Sequence, residues 1–125
     1  MPLHRTRSER FDDLVLLAVS QLEPRWETEL SALEFAVEEI PPAIPDTDDP
    51  DLVPLARLEP GAVADLAGDG ADTPARIVLY RRPLMARADA EEELAELVLD
   101  VIVEQFARWL GVDPQTVDPG YPEED

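Results

Sequence analysis

The stretch "DAEEELAELVLDVIVEQFARWLG", residues 89–111, constrains the fold more than any other part of the chain. Leu94, Leu97, Val98, Val101, Ile102, Phe106, Trp109 and Leu110 recur at helical spacing, so a long helix is expected from Asp89 or Ala90 to Leu110. Its first turns carry carboxylates, which suit the positive end of the helix dipole, and Gly111 is suited to a left-handed cap. Projected at 100° per residue, Leu94, Leu97, Val98 and Val101 share one bearing. Two turns further along that bearing stand Glu104, Gln105 and Arg108, while the apolar stripe drifts sideways through Ile102, Phe106, Trp109 and Leu110. The three polar groups are therefore expected beside the core, not opposite it. Glu104 and Arg108 are four apart with the acid first, the better orientation for a helical ion pair. Taken alone, such a pair is ordinary surface decoration.

The remaining segments supply a small sheet and a second helix. Residues 1–7 are expected to form a disordered arm, with Arg5 and Arg7 as cations. Ser8 as cap, an early Glu9, and Phe11, Leu14, Val15, Ala18 and Leu22 at helical spacing predict a first helix that Pro24 closes or bends. Beyond it, "RWETELSAL" suits one more helical turn with Trp26 and Leu30 inward. "LEFAVEEI" alternates from Leu33 and predicts a half-buried strand until Glu39 and Ile40 break the pattern. "PPAIPDTDDPD" holds four prolines and four aspartates and is loop. "LVPLARLE" suits an edge strand, because Pro54 cannot donate to a ladder. "RIVLYRRPL" (76–84) is the clearest strand, with Pro83 stopping it. The order predicts an α+β domain over residues 8–118, its mostly three-stranded sheet packed on an N-terminal and a long C-terminal helix, followed by an acidic tail at 119–125.

Composition removes several functions. There is no cysteine, and the one histidine, His4, lies in the arm, so thiolate metal sites and imidazole-based triads have no means. Ser8, Ser20 and Ser31 accordingly have no activating base. All ten bases are arginine, and 29 acids bring the formal charge to −19, a field that repels nucleic acid and anionic lipid and favours a basic protein partner. No segment has the length of a membrane span or the form of a signal peptide, so a cytoplasmic location is expected. Lack of lysine with abundant Ala, Pro and Arg points to a GC-rich bacterial genome.

Other clusters read as ordinary structure. Glu93, Glu96, Asp100 and Glu104 form a ladder along one side of the last helix, but a helical ladder cannot wrap the roughly six to eight oxygens that Ca²⁺ takes. "DTDDPD" lacks the glycine and distal glutamate of a calcium loop, and "GDGAD" is too short for a phosphate cradle in a lysine-free chain. Arg81 and Arg82 form a small basic spot that either neutralises the acidic start of the last helix or receives an anion such as a peptide carboxylate.

"RIVLYRRPL", the acidic helix start and the terminal "LGV" together resemble the small bacterial zincin-like metallopeptidases, which have a minimal zincin fold. "RFDDLVLLAVSQL", "FAVEEIP" and the proline-rich loop also sit where that family has them, so the resemblance covers roughly residues 8–118. In that family the last helix carries H-E-x-x-H-x-x-G: two imidazoles four apart hold Zn²⁺, and the glutamate activates the zinc-bound water. Setting the glycine on Gly111 puts the first histidine at Glu104, the glutamate at Gln105 and the second histidine at Arg108. Where related zincins supply a third ligand stands Pro114, with Asp113 one residue early.

The resemblance thus implies a family member with a degenerate motif. Glu104, Gln105 and Arg108 mark the positions, no residue is assigned as catalytic, metal-binding or cofactor-binding, and zinc is the family's cofactor rather than one expected here. The expected role is a non-catalytic binding or structural domain that receives an extended peptide or protein segment, its former zinc replaced by a Glu104–Arg108 pair. The alternative is a metal-dependent peptidase using Glu104 with Glu38, Glu39 or Asp113, and a third reading is an acidic adaptor unrelated to peptidases.

Overall fold

The computed structural model describes residues 6–42, 49, 52–62 and 73–122. Its elements run α1 (Arg7–Leu30), β1 (Leu33–Glu38), β2 (Ala56–Glu59), β3 (Ala75–Tyr80), α2 (Arg81–Arg87), α3 (Glu91–Leu110) and α4 (Pro114–Val117). This is the expected α+β order with two short helices added, α2 between β3 and the long helix and α4 after it. The "DTDDPD" and "GDGAD" loops, apart from Asp49, and residues 1–5 and 123–125 of the arm and tail lie outside the described residues.

Thr6, not Ser8, caps α1: its hydroxyl accepts from the Glu9 backbone N–H at 3.1 Å. Thr6 and Arg7 thus belong to the helix start rather than to an arm, and Glu9 three residues on completes the capping pattern. Pro24 bends the helix instead of closing it. With no N–H to give the preceding turn, it is followed by Trp26 at φ −128° and ψ 20°, after which the helix resumes to Leu30. Phe11, Val15, Ala18, Leu22 and Leu30 form the buried face.

The sheet order is β1-β3-β2. β1 runs parallel to β3, with Glu38 opposite Tyr80, and β2 runs antiparallel, with Arg57 opposite Val78. A central strand is covered on both faces, which explains the continuous apolar run in β3: Ile77, Val78, Leu79 and Tyr80 are all buried. Leu33, Phe35, Val37, Leu58, Ile77 and Leu79 join the main core with α1 and α3, while Val78 and Tyr80 fall on the opposite face among Glu38 and Arg57. β2 is an edge strand as expected, but it starts at Ala56, beyond Pro54.

Pro83 does not stop the strand. β3 ends at Tyr80, and Pro83 is the third residue of α2, where a first-turn N–H has no helical partner to lose. α3 buries Leu94, Val98, Val101, Ile102, Val103, Phe106 and Ala107 and ends at Gly111, whose φ of 77° is left-handed. Open space surrounds that position, so backbone conformation alone selects glycine there. No helix among the described residues is long and apolar enough to cross a membrane.

Candidate functional site

The face of α3 that carries Glu104, Gln105 and Arg108 is built differently from the expectation. Glu104 and Arg108 are both exposed, and they form no ion pair. Two long exposed side chains gain little from being fixed together in water, and Glu104 has another partner. The Tyr121 hydroxyl donates to its carboxylate. The positions therefore do not flank a cleft closed by charge; the C-terminal segment folds back over one of them.

Gln105 is half-buried, and its Oε1 is shut from solvent without a hydrogen-bond partner. Next to it, Phe106 is fully buried between two tryptophans. Trp26 meets it edge-on with centroids 5.6 Å apart, and Trp109 stacks at 6.0 Å. The Trp26 indole N–H donates to the Val117 carbonyl at 2.9 Å, tying the bend of α1 to α4. Tyr121 then closes a turn on the Asp118 carbonyl. Residues 119–122, expected as the start of a tail, are thus part of the surface beside α3. Nothing in the sequence marked Tyr121 as the partner of Glu104, because seventeen residues and a helix cap separate them.

The acidic ladder is real but does not converge. Burial pushes the Asp100 carboxyl above its ordinary range, and Glu104, Glu96 and Asp118 raise it further. Glu93 instead turns back to accept from the Asp89 N–H at 3.0 Å. Among the described residues no three histidines or carboxylates meet in a metal-binding group.

The carboxylates of the alternative site are engaged elsewhere. Arg57 bonds Glu38 at 2.7 Å, Glu59 and the hydroxyl of buried Tyr80, and these partners hold its guanidinium firmly protonated. Arg81 and Arg82 both reach Glu39, Arg81 with a 2.8 Å bond from Nε. Arg81 first, and Arg82 after it, hold the Glu39 carboxyl below its ordinary range. The basic spot therefore neutralises the end of β1, not the start of α3. The parallel register explains the change: Glu38 lies beside Tyr80, so the next residue of each strand, Glu39 and Arg81, are neighbours. Asp113 stands exposed before α4 without a side-chain capping bond, and Pro114 begins that helix. The hydroxyls of Ser20 and Ser31 are spent on carbonyls three residues back.

A helix, a small mixed sheet and a long glycine-terminated helix packed on that sheet define the minimal zincin class. Residues 30–122 of the 125 match the family model described as zincin-like metallopeptidase, and the chain belongs to that family. No curated protein matches it significantly. The family's zinc does not suit the residues at its place. A single carboxylate bound to a tyrosine, a buried amide and a permanent cation offer neither the imidazole pair nor the base that zinc hydrolysis uses.

Proposed function

We propose that this chain is a zincin-like domain that has lost zinc and peptidase chemistry and serves as a binding or structural module for an extended peptide or protein segment. One observation carries the reading: Glu104, Gln105 and Arg108 stand in the motif's register, with Glu104 engaged by Tyr121 and the Gln105 carbonyl oxygen buried. An amide carbonyl oxygen is too weakly basic to take a proton from water, and the Arg108 guanidinium repels a divalent cation. What the scaffold keeps is an edge strand, β2, packed against α3. A free edge offers backbone donors and acceptors to an added strand. The test is cleavage of an unfolded protein substrate with added zinc. No cleavage is expected; chelator-sensitive cleavage that Glu104→Ala abolishes would restore the carboxylate-site peptidase.

A further inference from the structure

The start of α1 departs from the pattern of the rest of the helix. Its buried stripe of Phe11, Val15, Ala18 and Leu22 leads back, one turn earlier, to Arg7, and Arg10 stands beside Phe11 on the same side. Both arginines are exposed, and neither forms an ion pair with a described residue. They line one wall of a pocket of about 240 Å³. Buried Phe11 and Leu94, with Leu14 and Met85, make its apolar floor. The other wall is the corner between α2 and α3, which carries Asp89 and Glu91. These two carboxylates are exposed and likewise form no ion pair with a described residue. The corner itself is fixed, because the Asp89 backbone N–H donates to Glu93 at 3.0 Å. Opposite charges thus share one apolar-floored pocket without meeting. Arginine stems that shield Phe11 from water would account for the first wall but not for the second.

We propose that this pocket binds a small zwitterion with an apolar body, a dipeptide of apolar residues with both ends free. Its carboxylate meets Arg7 and Arg10, its ammonium meets Asp89 and Glu91, and its side chains lie on the apolar floor. Charge complementarity at both ends selects this occupant. In a chain of formal charge −19, a carboxylate is drawn in only where cations stand free. A single amino acid carries both charges on one carbon, whereas the ends of an extended dipeptide lie roughly 7 Å apart and span two walls that do not touch. The size agrees, since the pocket is smaller than the roughly 300 Å³ at which sites for drug-sized ligands begin. The site uses none of the motif positions on α3 and no sheet edge, so it stands apart from the reading above.

The probe is leucyl-leucine, titrated into the full chain while backbone amide resonances are followed. Saturable shifts in residues 7–14 and 85–94 are expected. N-acetyl-leucyl-leucine and leucyl-leucine amide each lack one charge and are expected to bind about fivefold more weakly. Glycylglycine has both charges but no apolar body and is expected not to bind. The double variant Arg7→Gln/Arg10→Gln should bind the dipeptide and its amide equally, and Asp89→Asn/Glu91→Gln should bind the free and acetylated dipeptides equally. All four side chains are exposed, so the variants fold, which near-unchanged melting temperatures check. The capped dipeptides probe the same contacts on the unaltered chain. A preference for free ends that survives either double variant overturns the proposal, because the charges then serve the fold alone. Equal binding of glycylglycine overturns it too, as does the absence of leucyl-leucine binding up to millimolar concentration. Shifts confined to residues 56–59 also overturn it, while leaving the β2-edge reading intact.

Discussion

The hydroxyl of Tyr121 donates to the carboxylate of Glu104, so Glu104 on α3 is held by the C-terminal segment and not by Arg108. The bond is exposed, with Tyr121 half-buried beside Glu104, which limits its worth. Tyr121→Phe is expected to cost less than about 1 kcal/mol in a urea titration. A Glu104→Ala variant should cost about as much, and the double variant little more than either, because the two substitutions remove one interaction.

Gln105 buries a carbonyl oxygen that has no hydrogen-bond partner. Gln105→Leu keeps the side-chain length roughly and removes the unsatisfied atom. It is expected to stabilise the fold by about 1 kcal/mol, a rise in melting temperature of about 3 °C. A destabilised Gln105→Leu would show that the amide has a use in the folded protein.

Asp100 gives a pH signature. Its folded carboxyl holds a proton more tightly than the unfolded one, because burial comes first and Glu104, Glu96 and Asp118 add to it. The linked stability is therefore present at low pH and is lost as pH rises from the ordinary carboxylate range through the raised value. At neutral pH the ionised group destabilises α3. Asp100→Asn should raise the melting temperature at pH 7 by about 2 °C, a gain that shrinks toward zero as pH falls below about 4. Parallel thermal scans of both proteins across that range check it.

Phe106 lies where the apolar stripe has drifted away from the motif positions, wedged between Trp26 and Trp109. Phe106→Ala opens a cavity in the main core and is expected to cost about 3–5 kcal/mol, measured by chemical denaturation. Trp26 fluorescence should report the same transition, since its ring contacts Phe106 directly.

Local patterns carried much of this architecture, and pairings across the chain did not. The drift of apolar residues through Ile102 and Phe106, the Gly111 cap and the alternation from Leu33 each depend on neighbours a few residues away. Pro83 was ambiguous because a proline suits both the end of a strand and the first turn of a helix, and only the early end of β3 at Tyr80 decides between them. Thr6 and Ser8 are both good caps, separated by two residues. The partner of Arg81 depends on a parallel register between strands more than forty residues apart, which composition does not encode. At the candidate site the expected Glu104–Arg108 pair was not formed. Helical spacing permits such a pair; Tyr121, brought in by the turn after α4, supplies a competing donor.

Zinc content tests the central claim most directly. The full chain, incubated with one equivalent of zinc, freed of excess by gel filtration and measured by elemental analysis, is predicted to retain far less than one zinc per chain, unchanged in Glu104→Ala. One zinc per chain, lost in Glu104→Ala, would contradict the account and return the domain to the metallopeptidases that its family contains.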